Sequence, residues 1–415
     1  MFQKIRSELR YPAEFFWLIA LIFFLPLFEA PKNLCWLGYV VTWLYNRFRA
    51  HDWGGPWDNW DSLIAIWITS GYVVAMFAGV HYDEWSSAND ILRYGSVLWF
   101  VKRSHFSERS LLTILGAIVL GTLVTLLWGF WRFAVVKSEI SLTLNSVGQV
   151  NHSAIYLAIV FGVALSFSLG YWRQLGIFEK AGVSLSTFIL AFSVFLTDSR
   201  AAAVAAVLAA LALSLVSAVR KARRVGLSLV LVIFGATVLL VANPAIIEKT
   251  ANQVVGGAAF AFRGDDWKNA LVEWRQFPFF GVGMGNFGRP TLSELQKWNA
   301  AQDWAIRPSP AGLYGHGHSL YLNTLAERGL VGSAILLAVL ISWGLALVRA
   351  APTQDSPIGW TLYGGALSAW VIAVLAGLLN TTLHHEHALL SVLLLGLWLD
   401  FRKQSVLPER SAVRL

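Results

Sequence analysis

Two stretches of this chain decide how the rest must fold: residues 262–290, FRGDDWKNALVEWRQFPFFGVGMGNFGRP, and residues 314–332, YGHGHSLYLNTLAERGLVG. They lie in, and just after, a polar interval that runs from about Asn243 to Gly317. Almost everything on either side is apolar enough for a lipid bilayer, whereas the interval concentrates tryptophan, arginine and histidine. The contrast predicts membrane helices on both sides of a large loop, with any chemistry placed where that loop meets the membrane.

The composition is that of a polytopic membrane protein. Hydrophobic residues make up 56% of the chain, charged residues 13%, and the mean hydropathy is +0.58. Soluble domains carry about 25% charged residues, so this chain has too few to cover a wetted surface. The net charge of +8 is explained by membrane topology, and nucleic acid is not an expected partner. The single Cys35 excludes an intramolecular disulfide and a cysteine-based zinc cluster.

A helix needs about 20 apolar residues to cross the hydrocarbon core. Apolar runs lie near residues 14–28, 34–46, 62–80, 88–101, 110–131, 153–171, 182–198, 201–219, 225–242, 329–349, 358–380 and 386–401. We therefore predict an all-α polytopic membrane protein with about 12 transmembrane helices and one large periplasmic loop. The expected divisions are residues 1–242 (helices 1–9), 243–317 (the loop) and 318–415 (helices 10–12 and a cytoplasmic tail).

The distribution of lysine and arginine predicts the orientation. With the N-terminus inside, 19 of these residues fall in inner segments and only four, Lys32, Arg132, Lys137 and Arg200, in the opposite short loops. Short cytoplasmic loops carry the excess of positive charge, so both termini are expected inside. The long loop then faces outward, which in a bacterial inner membrane is the periplasm.

The loop itself has a readable pattern. Residues 265–274 predict a short helix with Trp267, Leu271 and Trp274 on one face. Pro278 and the glycines that follow it predict an irregular turn, and a second helical pattern is expected to begin at His318. The sequence contains neither a Walker loop nor a Rossmann fingerprint, so a nucleotide-driven pump is not expected.

Two arginines at the edges of this loop are candidates for binding an anion. Arg200 follows a predicted tight turn and enters an alanine-rich apolar run, where an arginine costs roughly 2.5–3.5 kcal/mol at the membrane centre and less near an end. Either a phosphate ligand or a salt bridge to Asp198 or lipid headgroups would offset that cost. Arg263 precedes Asp265 and Asp266, which offer a surface ion pair as the alternative; two adjacent carboxylates are only a weak signal for a metal.

Histidines supply the candidate bases. His316 and His318 precede the second helical pattern, and the positive end of a helix dipole favours a neutral imidazole that can accept a proton. The alternative is a capping or core histidine. His384, His385 and His387 surround Glu386 in the last outward turn; the spacing of His384 and His387 would suit a metal, but a polar turn between two spans is the simpler interpretation.

Together these residues resemble the O-antigen ligase and polymerase superfamily. The resemblance rests on T-D-S-R at 197–200, R-x-x-x-W at 263–267, P-x-x-G-x-G-x-x-x-F at 278–287 and H-S-x-Y-L-x-x-L-A-E-x-G-L-x-G at 318–332. It covers about a third of the chain. In length, topology and the absence of an added soluble domain, the chain is most similar to the O-antigen ligases.

The resemblance implies a C-type glycosyltransferase-like enzyme without metal or other cofactor. Such an enzyme moves a glycan from undecaprenyl diphosphate to a sugar hydroxyl on lipid A-core, so the implied partners are the lipid-linked O-antigen, the lipid A-core oligosaccharide and membrane lipid. Arg200 and Arg263 match the family's essential arginines and His318 its histidine, whereas His316 matches less well. Trp267 and Tyr321 are further candidates for substrate contact.

This assignment has a chemical rationale and open alternatives. Guanidinium forks bind diphosphate oxygens, and a histidine base on the other face would activate the acceptor hydroxyl in a single, inverting displacement. The loop aromatics, which are Trp267, Trp274, Phe277, Phe279 and Phe280, would either wall a lipid cleft or pack the loop onto the membrane. An O-antigen polymerase, a protein oligosaccharyltransferase and a lipid-linked glycan transporter are the alternative functions.

Overall fold

The computed structural model describes residues 11–138, 140–219, 261–300, 316–352 and 356–412. The regular elements within these ranges are helices. In chain order they are α1 (Pro12–Phe24), α2 (Glu29–Ala50), α3 (Asn59–Met76), α4 (Glu84–Lys102), α5 (Glu108–Phe130), α6 (Val150–Tyr171), α7 (Ile177–Leu196), α8 (Arg200–Val219), α9 (Ala261–Gln276), α10 (Leu292–Trp298), α11 (Leu320–Arg349), α12 (Pro357–Ala376) and α13 (His385–Ala412). A π-helical turn, Trp131–Val136, extends α5.

Six helices of the described residues are long and apolar enough to cross a membrane: α5 with its π turn, α6, α7, α8, α11 and α12. The all-helical, multi-pass character is thus confirmed, while the predicted number of spans is not. Helix α1 is apolar but shorter. The predicted runs at 34–46, 62–80, 88–101 and 386–401 lie in α2, α3, α4 and α13, and the run at 225–242 lies outside the described residues.

Helices α6 and α12 form the centre of the bundle. From Ser153 to Ser166 every side chain of α6 is buried, and most of α12 is buried as well. Their axes approach closely because small residues face each other: a Cβ on Gly162 would lie 2.2 Å from the Ser368 hydroxyl, and one on Gly364 would lie 2.1 Å from that of Ser166. Small residues at helix contacts are the usual means of close packing in membranes. This closely packed pair carries the ends on which the candidate site is built.

Helix α11 is broken at Gly329, whose backbone is left-handed (φ 59°). The break frees two carbonyls and two amides, and the glycine-rich stretch after α9 satisfies all four. The carbonyls of Ala326 and Glu327 accept from the amides at 282 and 283 (2.9 and 3.0 Å), while the amides of Leu330 and Val331 donate to the carbonyls at 278 and 279 (2.8 and 3.1 Å). We call residues 278–283 the strap. Its predicted irregularity is confirmed by positive φ at Gly281 and Gly283.

The strap also fixes the turn between α3 and α4. The amides of Gly79 and Val80 donate to strap carbonyls, each at 3.0 Å. Beyond the strap, the buried Asn286 amide donates to the Val80 carbonyl at 2.7 Å and accepts from the Asp83 amide at 3.0 Å. The loop therefore joins α3, α4, α9 and α11 into one unit. Irregular backbone of this kind is tolerated at membrane depth only where protein groups satisfy it.

Helix α9 confirms the predicted loop helix, and the face that it buries is not the one that carries Trp267, Leu271 and Trp274. Asp266, Ala270 and Glu273 are buried, while Trp267, Leu271 and Trp274 are half-buried. The small side chain of Ala270 packs with Phe287 and Ala326, which brings α9 close to α11. Burial, together with the neighbouring Glu327, raises the pKa of Glu273 well above its usual range. Contact with the broken helix, rather than hydrophobicity, thus selects the buried face.

Candidate active site

The turn between α7 and α8 presents Arg200. Asp198 adopts a left-handed conformation (φ 59°), and α8 begins at Arg200, as the tight-turn prediction requires. The hydroxyl of Ser199 donates to the Asn151 side-chain oxygen at 2.8 Å. Arg200 is therefore the first residue of a spanning helix, and its turn is fastened to the start of α6.

His318 lies just outside α11 rather than at its first residue. The helix begins at Leu320 with Ser319 as its N-cap, so the prediction that the helix starts at His318 is wrong by two residues. His318 has positive φ (44°), because the preceding backbone turns sharply so that the Gly317 amide can donate to the Asn323 side chain at 2.8 Å. The imidazole thus belongs to a short constrained segment in front of the helix.

Histidines from three parts of the chain meet at this end of the bundle. We call His152, His316, His318, His384, His385 and His387 the histidine cluster, and the part of the molecule that contains it the His152 end. The rings of His316 and His318 are 4.3 Å apart, and His152 lies 6.5 Å from His316. His152 also lies 5.2 Å from both His385 and His387. His152, at the start of α6, is the ring that connects the other two segments.

The environment of the cluster favours neutral imidazoles. Burial lowers the pKa of His316. Burial, and then the neighbouring His385 and His316, lower the pKa of His384 to about 3. Charging one ring would cost desolvation and repulsion from the others. At neutral pH His316 and His384 are consequently bases without charge, which suits proton acceptance.

The turn before α13 is more than a polar connection. Glu386 is buried and forms an ion pair with Lys32, and it accepts from the Ser146 hydroxyl at 3.2 Å. His387 Nε2 accepts from the His384 backbone amide at 3.3 Å. The prediction of a simple polar turn is therefore incomplete, because Glu386 also ties α13 to α2 and to the segment before α6. Among the described residues, no set of three or more His, Cys, Asp or Glu side chains is arranged to hold a metal ion.

The other predicted site residues fall in different places. Arg263 lies in the first turn of α9, but its side chain is outside the described part. Trp267 is half-buried with a buried indole nitrogen that lacks a hydrogen-bond partner. The Tyr321 hydroxyl donates to the Val374 carbonyl at 3.0 Å, which joins α11 to α12. Tyr321 therefore takes part in helix packing. Arg200 lies near the histidine cluster, because Ser199 next to it bonds to Asn151, the residue before His152.

The loop aromatics mostly pack. Phe277 contacts Trp298 edge to face at 5.5 Å, and Phe280 stacks on Phe77 at 5.0 Å. Phe279 is 62% exposed. Of the two interpretations offered for these residues, packing of the loop describes Phe277 and Phe280, and Phe279 alone of these three presents a largely open ring.

Sequence reasoning missed His152 and Asn151. Both lie in the sequence N-H-S, where an apolar run begins. Polar residues of this kind at a helix start ordinarily cap the helix. The partners of His152 are more than 160 residues away along the chain, so only the packing of helix ends reveals the cluster. The signal available in the sequence was that every histidine-rich step falls at the same predicted side of the membrane.

A multi-pass helical membrane protein with arginine and histidine gathered at one end of its bundle fits the class of enzymes that act on lipid-linked substrates. Residues 185–337 match the family model described as O-antigen ligase, and the resemblance to that superfamily is thereby confirmed for this segment. The match contains the Arg200 turn, α9, the strap and His318. A search of curated proteins gave no significant match.

Proposed function

We propose that this protein is an O-antigen ligase of the bacterial inner membrane. It would transfer O-antigen from undecaprenyl diphosphate to a sugar hydroxyl of lipid A-core, with both termini cytoplasmic and the active site facing the periplasm. The observation that carries the proposal is the meeting of the Arg200 turn and the segment before α11 at the His152 end, inside the matched family segment. Residues 243–317 would form the periplasmic loop between the two groups of membrane helices.

In this proposal arginine binds the leaving group. A diphosphate departs readily once its developing charge is neutralised, and a guanidinium fork does this with two parallel hydrogen bonds. Arg200 is the first residue of a spanning helix, a position from which it can reach a diphosphate whose lipid tail stays in the bilayer. Arg263 would approach the same group from the first turn of α9, and Trp267, one turn further on, would contact the substrate.

His318 would be the base. It would take the proton of the acceptor hydroxyl as the oxygen attacks the anomeric carbon, and the carbon–diphosphate bond would break on the opposite face, so that the configuration inverts. The short segment before α11 holds His318 against His316, and the buried surroundings favour an uncharged His316. His316 would then support the base rather than replace it. No nucleotide, metal or other cofactor enters this scheme.

A transporter is the alternative from another class, and one observation bears on it. Transporters use broken helices whose freed backbone groups bind ions or substrate near the membrane midplane, and α11 is broken at Gly329. Here, however, the strap occupies the freed carbonyls at 326 and 327 and the freed amides at 330 and 331. The break therefore serves to dock the loop, which supports the enzyme over the transporter.

Reconstitution tests the proposal. Purified protein in liposomes would be mixed with undecaprenyl-diphosphate-linked glycan and lipid A-core, with chelator and without nucleotide, and the joined product followed on a gel. We expect product from wild type and from Arg173→Ala, an arginine in the turn after α6, but not from Arg200→Ala, Arg263→Ala or His318→Ala.

The failures have different meanings. Longer glycans on the donor lipid, without transfer to lipid A-core, would identify a polymerase of the same superfamily. Transfer to a protein acceptor would identify an oligosaccharyltransferase. No transfer to any acceptor, with lipid-linked glycan moving across the liposome membrane, would identify a transporter and overturn the proposal.

A further inference from the structure

An open cleft of about 690 Å³ lies next to the Arg200 turn, and the chemistry described so far does not use it. The π-helical turn after α5, the segment before α6 and the first residues of α6 form its walls. Its polar lining consists of Arg132, Thr143, Asn145, Gln149 and Asn151. We call it the Asn151 cleft. Its volume falls in the range of ligand sites, about 300–1,000 Å³.

The lining suits a polyhydroxylated ligand. Three side-chain amides, one hydroxyl and one guanidinium offer both donors and acceptors, which is what sugar hydroxyls require. Val150, which is half-buried, adds apolar surface for the C–H face of a sugar ring. Among the described lining residues Arg132 is the charged one, so the cleft favours a neutral or acidic sugar over a basic ligand. A polyprenyl tail would place hydrocarbon against these polar side chains.

The wall that carries Arg132 has an unusual backbone. Arg132 lies in a π-helical turn, Trp131–Val136, and such turns are rare and frequently mark functional sites. Trp128 and Trp131 lie beside it with rings 4.9 Å apart, and they are 49% and 46% exposed. Exposed indoles near a polar cleft offer an apolar surface for a carbohydrate ring. The turn therefore places Arg132 in the wall of the cleft, with Trp131 as its neighbour in the chain.

The cleft is fastened to the turn that presents Arg200. Asn151, in its lining, accepts from the hydroxyl of Ser199, the residue before Arg200. The Leu142 amide donates to the Leu196 carbonyl at 2.9 Å, and the Ser141 hydroxyl donates to the Asp198 carboxylate at 3.0 Å. These bonds link the segment before α6 to the end of α7 and to the turn. A ligand in the cleft would consequently lie beside whatever Arg200 binds.

We propose that the Asn151 cleft binds the sugar of the lipid-linked donor that is attached to the diphosphate. This inference rests on the proposed function. The first sugar is covalently joined to the diphosphate, so a diphosphate at Arg200 must place that sugar next to the Arg200 turn, where the cleft lies. The acceptor, in contrast, has to approach from the side of His318. Arg132 and Gln149 then discriminate between donors by their first sugar.

Direct binding separates the sugar from the diphosphate. Full-length protein in nanodiscs would be titrated with undecaprenyl diphosphate and with undecaprenyl diphosphate carrying one N-acetylhexosamine. The test variants are Gln149→Ala, at an N-cap whose side chain makes no capping bond, and Arg132→Ala. Arg173→Ala and Gln174→Ala, in the turn at the other end of α6, are the matched controls.

We expect Gln149→Ala to weaken binding of the sugar-bearing lipid about fivefold to tenfold and Arg132→Ala about tenfold or more. Binding of the sugar-free lipid should stay within about twofold of wild type, and both controls should behave as wild type. In turnover assays the KM for the donor should rise by the same factor as the dissociation constant, and the KM for the acceptor should stay unchanged.

Three results would overturn the cleft assignment. Equal weakening toward both lipids would make it a phosphate or headgroup site, a raised acceptor KM alone would make it an acceptor site, and unchanged binding by both variants would leave it without a ligand. Failure of the proposed function is a separate result, because wild type would then neither bind nor turn over the sugar-bearing lipid. Wild-type turnover with unaffected variants would reject only the cleft.

Discussion

The two ends of the helix bundle solve opposite electrostatic problems. About halfway along α13, Asp400 accepts from the backbone amides of His105 and Phe106 at 3.2 and 3.0 Å. Close by, the fully buried Asp61 accepts from Lys102 at 2.9 Å and from Arg103 at 2.6 Å. We call this region the Asp61 end. Its charged side chains are buried with their hydrogen-bond partners, so their charge states resist change.

The His152 end also has a buried ion pair, Glu386 with Lys32, but it differs in gathering groups that are kept neutral. It brings together several imidazoles whose protonation is disfavoured: burial lowers the pKa of His316, and burial together with neighbouring rings lowers the pKa of His384. A paired charge has little left to offer a substrate, whereas a neutral base can still accept a proton and a hydrogen bond. The comparison teaches that chemistry is expected where titratable groups are crowded but uncharged, and that the paired end holds the helices together.

Among substitutions that test this comparison, the largest effect is expected at His318. His318→Ala should lower the transfer rate by a factor on the order of 10²–10⁴, because general base catalysis contributes that much. Single-turnover transfer with saturating donor and lipid A-core measures it. His318→Ala should still bind the sugar-bearing donor lipid, since arginine rather than histidine would hold the diphosphate. Full activity in the variant would remove His318 as the base.

At the other end, Asp61→Asn should destabilise the fold by about 3–5 kcal/mol, because it leaves the buried Arg103 without a carboxylate and the buried Lys102 with Asp58 alone. Thermal unfolding in detergent measures the loss, and the transfer rate per folded molecule should be unchanged. The matched control is Glu29→Gln, which removes a 73% exposed carboxylate 3.7 Å from Lys32 and should cost less than about 1 kcal/mol. Equal effects of the two variants would contradict the distinction between buried and surface pairs.

Much of this organisation could be predicted from the sequence, and the reasons are local. Membrane character follows from composition, and the Asp198 turn, α9 and the irregular strap follow from short-range signals of turn residues and helical period. Residues near the site were found for the same reason, since arginine and histidine next to apolar runs are conspicuous. Their family resemblance was confirmed over residues 185–337.

The remaining features depend on pairing between distant segments. Hydropathy cannot recognise that Arg47 pairs with Glu14 at 3.1 Å or that Lys32 pairs with Glu386. The number of spans therefore cannot be counted from hydropathy where charged helices such as α2 occur. His152 had no local signal because its partners come from the ends of other helices. The buried face of α9 could not be predicted from the sequence, because contact with a broken helix favours Ala270 over tryptophan.

The strap offers a test of how the loop is held near the His152 end. Gly329→Ala should destabilise the protein by roughly 1–3 kcal/mol from backbone strain alone, and a Cβ there would lie 2.3 Å from the Phe279 carbonyl carbon. Limited proteolysis of the loop and thermal unfolding measure the effect. Gly264→Ala is the control: Gly264 lies within α9 with no atom near its would-be Cβ, so alanine should stabilise by about 0.5–1 kcal/mol. A Gly329→Ala protein as stable as wild type would mean that the strap does not depend on the break.

The smallest expected effect is a pH dependence of stability at the His152 end. The pKa of His384 is lowered to about 3, below its value in the unfolded chain, so the unfolded state binds more protons as the pH falls below about 6.5. The contribution of His384 is therefore complete above that pH and is lost as acid is added, by about 1.4 kcal/mol at pH 5.5. Thermal unfolding of wild type and His384→Gln at pH 7.5 and 5.5 measures it, and the variant should lose less stability than wild type between the two. If both proteins lost the same amount, the neutral character of the cluster would have to come from histidines other than His384, and the contrast between the two ends would rest on fewer residues.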